Sequence, residues 1–224
     1  MGSLNLLEAV KQKAPDAFVV FASSSEVYGE AFKAGVALDE SSPCLPMNPY
    51  AASKLAAELA LEQYFKQGMR GVIARPFNHI GSGQSPDFVT ASFARQIARI
   101  ESAEQAPVMQ VGNLEACRDF LDVQDVCAAY VQLLKLSDRH DYPRLFNIAS
   151  GQSRKIRDIL DEMISQSTVD ISVELDPQRL RPSDIPVAVG NCDRIRDVLG
   201  WQPTIPLEDT LASLLADWRS RTDA

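Results

Sequence analysis

The sequence predicts an α/β protein built around a parallel sheet. Residues 17–22 form an unbroken apolar run, Ala-Phe-Val-Val-Phe-Ala, the pattern of a strand buried on both faces. Strand-like and helix-like segments then alternate along the chain, as successive βα units require.

The elements follow in order. Residues 4–13 place Leu4, Leu7 and Val10 on one face, with Leu6 and Ala9 beside them, and read as a helix closed before Pro15. After the strand at 17–22 comes a connection rich in Ser, Gly and Pro, through Pro43, Pro46 and Pro49. Residues 50–67 are an alanine-rich helix, introduced by Asn48-Pro49 and stopped at Gly68. A second buried strand is expected over 71–75, a loop over 77–86 and a helix over 88–100. Short strands follow at 108–111 and 120–123, then a helix at 125–136 with Asp125 as its cap. A strand at 145–148 precedes a helix over 154–166 capped by Ser153. A strand at 171–175, a proline-rich turn and helices near 193–199 and 207–219 complete the chain. The later elements are shorter and mixed, as in a small α+β lobe.

Composition narrows the function. The chain has 224 residues, 46% of them hydrophobic, enough for one large domain or one domain with a small lobe. Thirty acidic residues against 22 basic ones give a net charge of −8, which argues against nucleic acid or an anionic membrane as partner. A small anionic ligand needs only a few convergent arginines. No apolar run approaches the length of a membrane span, and no basic segment followed by an apolar one marks a secretory signal, so the protein reads as cytoplasmic. Cys44, Cys117, Cys127 and Cys192 show no CxxC spacing and no histidine at ligand distance, so no metal site is expected.

The clearest chemical signal is Tyr50-Ala-Ala-Ser-Lys54. Tyr and Lys at i and i+4 share one helical face. An ammonium there lowers the phenol pKa and makes the tyrosine a competent proton donor or acceptor. Just past the strand at 17–22 stands Ser23-Ser24-Ser25-Glu26-Val27-Tyr28-Gly29. In an open parallel sheet, ligands bind at the carboxyl ends of strands, so a serine there can bond the oxygen that the tyrosine protonates.

Strand, serine cluster and a helix opening on YxxxK resemble the extended short-chain dehydrogenase/reductase family, the NAD-dependent epimerase/dehydratase branch that modifies nucleotide sugars. Other segments sharpen the resemblance: Arg75-Pro76-Phe77-Asn78-His79-Ile80-Gly81, Phe88-Val89-Thr90, Arg118-Asp119-Phe120-Leu121-Asp122-Val123, Arg181-Pro182-Ser183-Asp184 and Leu199-Gly200-Trp201-Gln202-Pro203. Together they look like the GDP-4-dehydro-6-deoxy-D-mannose reductases. The GDP-mannose 4,6-dehydratases share the Phe-Asn-His and Phe-Val-Thr elements.

The resemblance implies a Rossmann-like parallel sheet with a smaller C-terminal α+β substrate-binding lobe. Residues 1–80 would be the C-terminal half of the NAD(P)-binding domain. Residues 81–224 would be mainly the nucleotide-sugar lobe, with a return to the sheet around 118–150. It further implies an NAD(P)H-dependent reduction of the C4 ketone of a GDP-sugar, with NADPH favoured. Tyr50 would be the general acid, Lys54 would hold the cofactor ribose, and Ser24 would polarise the substrate. Tyr50, Lys54 and Pro76 would contact the cofactor. Ser25, Glu26, Asn78, Arg118 and Arg181 would contact the sugar nucleotide, the two arginines at its diphosphate. For the arginines, ion pairing with Asp119, Asp122 and Asp184 is the competing reading. His79 reads as structural, and Trp201 as packing of the small lobe. Glu26 also suits a dehydratase, and a 4-epimerase is a further alternative. A homodimer through helices 3–13 and 50–67 is implied too.

The sequence departs from the family in one respect. It holds 11 glycines and no GxGxxG or GxxGxxG motif. Two to three βα units, about 80–100 residues, are expected ahead of Met1. On that expectation the chain is either a fragment of an enzyme or a non-catalytic remnant that binds sugar nucleotide or dimerises.

Overall fold

A computed structural model describes residues 2–180 and 185–222. Helix α1 (Gly2–Lys13) leads into β1 (Phe18–Ala22), then α2 (Pro49–Lys66), β2 (Arg70–Pro76) and β3 (Asn78–Ile80). Next come α3 (Val89–Glu101), β4 (Val108–Val111), β5 (Cys117–Arg118), β6 (Phe120–Asp122) and α4 (Val123–Leu134). Then follow β7 (Leu145–Ile148), β8 (Arg154–Lys155), α5 (Ile156–Ser165), β9 (Ser172–Leu175), β10 (Val187–Ala188), α6 (Asp193–Leu199) and α7 (Leu207–Thr222). No described helix is long and apolar enough to cross a membrane.

The main sheet is parallel, in the order β1-β2-β7. Ala22 pairs with Ala74 and Pro76 with Ile148, so the three strands end along one edge. Side chains alternate across it. Val19 and Phe21 of β1 pack with Leu7 of α1 and with Leu61 and Phe65 of α2. Phe18 and Val20 pack with Val126, Ala129 and Leu133 of α4. Both faces of β1 are covered, yet Phe18–Phe21 are only half-buried and Ala22 is exposed, because β1 is the edge strand of this sheet. The full burial expected of the apolar run falls instead to the central β2.

The small lobe has its own core. Ile97 of α3, Leu160 and Met163 of α5, and Leu214 and Leu215 of α7 are fully buried together. Here β3 pairs with β6, β4 with β9, and β5 stands between β10 and β8.

Several expected boundaries are corrected. The expected loop at 77–86 contains β3. The fourth helix begins at Val123, not Asp125, because the Asp122 carboxylate accepts a hydrogen bond from Gln124 N at 2.7 Å and caps it. Asp125 is instead buried in the first turn, where it accepts from the backbone N–H groups of Thr204 and Ile205. Ser153 caps nothing: residues 154–155 form β8, and α5 starts at Ile156 with no side-chain cap.

Candidate active site

The carboxyl end of β1 carries the serine cluster. Ser23 continues the ladder by donating its N–H to the Ala74 carbonyl at 2.7 Å. Ser24 is extended (φ −160°, ψ 146°), and its Oγ accepts from Glu26 N at 3.2 Å, capping a 3-10 turn over Ser25–Tyr28. Gly29 closes that turn at φ +48°, and a Cβ there would strike the Leu45 carbonyl, so glycine is required.

Helix α2 carries the tyrosine and lysine. Asn48 caps it, its Oδ1 accepting from Ala51 N at 2.8 Å, and Pro49 opens the first turn. The Asn48 side-chain amide also donates to Glu26 Oε2 at 2.9 Å, which ties the glutamate to the start of the helix. Tyr50 is 51% exposed. Lys54 Nζ lies 5.7 Å from the Tyr50 ring centroid and donates to the Ala22 carbonyl at 2.9 Å.

These elements enclose a cleft of about 460 Å³. Ser24, Ser25, Glu26, Tyr50, Pro76 and Asn78 are among its lining residues. Phe77, Ile80, Phe88, Val89, Phe120 and Val123 line it as well and supply apolar surface. Thus six of the sequence-derived site residues converge on one cleft, and Lys54 stands behind the tyrosine.

Arg118 is not among the lining residues. It is half-buried on β5, its Nη1 donates to the Cys117 carbonyl at 2.7 Å, and burial lowers its pKa. Arg181 and Asp184 lie outside the described residues. The carboxylates beside Arg118 have other work. Asp119 is fully buried and accepts from Ser150 N, Ser150 Oγ, Gly151 N and Gly190 N at 2.6–3.2 Å. Burial pushes its carboxyl above the usual range, against the pull of those bonds. Asp122 caps α4 and accepts from the Thr210 hydroxyl. His79 lines the cleft too, with Nδ1 3.0 Å from the Phe77 carbonyl oxygen.

Sequence reasoning missed the buried polar layer beneath the cleft. Glu58 and Arg75 form an ion pair there. Next to it the Tyr28 phenol, pushed up to about 12 by burial, donates to Asn147 Oδ1 at 2.7 Å. The signal available was Glu58 itself, at i+4 from Lys54 on an apolar helix face.

Chemically, a phenol and a hydroxyl on one cleft, with an ammonium behind the phenol, suit polarisation of a carbonyl and transfer of a proton to it. The ammonium has three donors and spends one on Ala22, which leaves two for ribose hydroxyls. The residues present therefore fit the nicotinamide-ribose end of a dinucleotide. The sequence holds no GxGxxG turn to cradle a pyrophosphate.

Residues 1–214 match the family model described as GDP-mannose 4,6 dehydratase. The chain belongs to this family. Within the GDP-mannose 4,6 dehydratase family it is 41% identical over 222 residues to the GDP-6-deoxy-D-mannose reductase of Pseudomonas aeruginosa, a match covering 99% of this chain and 72% of the relative. It is 28% identical to the GDP-mannose 4,6-dehydratase of Yersinia enterocolitica, of which it spans 65%. Among solved structures, it superposes on the P. aeruginosa RMD complexed with NADPH with TM-score 0.89 and 39% identity, over 98% of this chain and 72% of that one. A putative epimerase from Burkholderia cenocepacia matches with TM-score 0.84 and 34% identity over 98% of this chain and 69% of that one. Members of this family are NAD(P)-dependent oxidoreductase-type enzymes, as the sequence resemblance implied.

Proposed function

We propose that the chain reduces the C4 ketone of GDP-4-dehydro-6-deoxy-D-mannose with NADPH. The observation that carries this reading is the convergence of Ser24 and Tyr50 on one cleft, with Lys54 behind the phenol. The 41% identity to a GDP-6-deoxy-D-mannose reductase supports the substrate, and the NADPH complex of RMD supports the cofactor.

When bound, NADPH supplies a hydride to C4. Ser24 donates a hydrogen bond to the ketone oxygen and stabilises charge as it develops there. Tyr50 delivers the proton to that oxygen, and Lys54 holds the ribose. Pro76 borders the cofactor. Ser25, Glu26 and Asn78, which line the cleft, orient the sugar. Apolar residues in the cleft lining, Ile80, Val89 and Val123 among them, suit a sugar that carries a methyl group in place of a hydroxymethyl.

We divide the work as dinucleotide binding by residues 1–80 with a return around 118–150, and sugar-nucleotide binding mainly by residues 81–224. We propose a homodimer through α1 and α2, whose Leu4, Leu6 and Leu59 are exposed. A cytoplasmic setting accords with the four free cysteines.

Glu26 favours a second reading, a 4,6-dehydratase, because a carboxylate in the cleft can take a proton from C5. The assay separates the two. Mass spectrometry should find GDP-6-deoxymannose formed from the ketosugar with NADPH, and Tyr50→Phe should abolish it while GDP still binds. Conversion of GDP-mannose without added reductant would favour the dehydratase. Undiminished turnover by Tyr50→Phe, or no NADPH binding at all, would sink the proposal.

A further inference from the structure

Two consecutive residues at the end of β1 are each bonded to the same face of α2. The Ala22 carbonyl accepts from Lys54 Nζ, and the Ser23 hydroxyl donates a hydrogen bond to Glu58 Oε1. Tyr50, Lys54 and Glu58 recur every four residues, so they form one stripe on the helix. Arg75 of β2 closes the arrangement, with Nε donating to Glu58 Oε1 at 3.0 Å and Nη2 to Oε2 at 2.5 Å. Strand β1, strand β2 and helix α2 therefore meet at one carboxylate, which is 2% exposed.

We propose that Glu58, clamped by Arg75, is a positioning residue that holds Ser23 against α2 and so sets where the Ser24 hydroxyl stands relative to the Tyr50 phenol. This rests on the reading of Ser24 and Tyr50 as the pair that acts on the ketone.

A buried ion pair is a poor device for stability alone, because well-packed apolar residues of the same volume do as well or better. Its Arg75 Nη1 is buried without a hydrogen-bond partner among the described residues, which adds to the cost. What the pair offers is direction. A bidentate guanidinium–carboxylate contact fixes both planes. The Arg75 guanidinium is further seated over the Tyr28 ring, 4.7 Å from its centroid.

A static core pair would account for Glu58 and Arg75 but not for Ser23. The Ser23 backbone is already tied to Ala74, so its hydroxyl adds one specific bond, to the helix that carries Tyr50. Ser24 takes its side-chain direction from the Glu26 N–H and its place from the residue before it. Placement at a reacting centre matters steeply, since about 1 Å of displacement costs about a hundredfold in rate.

The test uses Ser23→Ala, which removes one hydroxyl and leaves the ion pair intact, with Glu58→Gln as a second variant. In both, kcat should fall about tenfold or more while KM for the sugar nucleotide stays within about twofold. Added to Ser24→Ala, Ser23→Ala should cost nothing further, because its effect runs through Ser24. Hydrogen exchange read by mass spectrometry needs no turnover. The segment 22–29 should exchange about tenfold faster in Ser23→Ala, with α4 and α7 unchanged.

Normal kcat with normal exchange at 22–29 overturns the inference, and so does a full additional loss in the Ser24→Ala background. If Tyr50→Phe is inactive while Ser23→Ala and Glu58→Gln turn over normally, the inference alone falls. If Tyr50→Phe is fully active, the functional reading falls, and exchange at 22–29 still decides whether Ser23 is held by Glu58.

Discussion

The Lys54 ammonium lies 5.7 Å from the centre of the Tyr50 ring and is tethered to the Ala22 carbonyl at 2.9 Å. A lysine is flexible and strongly hydrated, so one fixed donor matters: it keeps the charge beside the phenol. Lys54→Met should therefore lower kcat by about 10² or more, the usual range for loss of acid–base function. It should also weaken NADPH binding, because the donors that suit the ribose go with it. Steady-state kinetics and a fluorescence titration with NADPH check both. Normal NADPH affinity in this variant would remove Lys54 from the cofactor site.

The Asp119 carboxylate ties together two distant backbone segments, at 150–151 and at 190. Its Oδ1 accepts from Ser150 N and Ser150 Oγ, and its Oδ2 from Gly151 N and Gly190 N. In Asp119→Asn the amide oxygen can serve only one of these pairs. The amide NH2 would then face two N–H donors, leaving buried groups unpaired at about 1–3 kcal/mol each. The expected outcome is a destabilisation of about 2–4 kcal/mol in urea or thermal unfolding. A change below about 0.5 kcal/mol, the range of ordinary surface substitutions, would remove Asp119 as the hub.

Glu101 and Arg219 join α3 to α7 by two hydrogen bonds of 2.7 and 2.8 Å. The arginine bond lowers the Glu101 pKa from 4.5, more than partial burial raises it. A depressed folded-state pKa means that the contribution is present above the unfolded pKa and disappears as pH falls through the folded one. Wild type should exceed Glu101→Gln in stability at pH 7, and the gap should close below about pH 4.5. Arg219 is partly exposed, so the gap should also shrink in salt. A pH-independent difference would remove the ionic contribution.

Much of this site was legible in the sequence, for local reasons. Asn48-Pro49 and Gly68 bracket α2 because caps and breakers act within a turn. Tyr50 and Lys54 stand out because an i, i+4 pair shares one helix face, and the serine cluster because strand ends in a parallel sheet gather at one edge, whereas Asn78 is implied only by the family resemblance. What escaped depended on partners far along the chain. Asp125 looks like the helix cap from its position, but it is drawn off by the N–H groups of Thr204 and Ile205, and Asp122 caps the helix instead. The strands β5, β8 and β10 have two residues each, too few to show a period. Glu58 shares the helix stripe of Tyr50 and Lys54, but its partners Ser23 and Arg75 lie 35 and 17 residues away, so its burial does not show in the local pattern.

Glu26 offers a last discrimination between reduction and dehydration. Its carboxylate lines the cleft but is bound by the Asn48 side chain, which also caps α2. In Glu26→Gln the amide oxygen can still accept from Asn48, so the helix start and the cleft keep their shape. Reduction needs a proton on the ketone oxygen, which Tyr50 supplies, and no base at C5. Reductase turnover in Glu26→Gln should therefore stay within about tenfold of wild type, whereas Tyr50→Phe should lose about 10² or more. Dehydration draws on a base beside the sugar ring, and its loss with the carboxylate should be as deep as that of Tyr50→Phe. Equal and severe loss of ketosugar reduction in both variants would place Glu26 in the proton path and overturn the division of roles drawn between it and Tyr50.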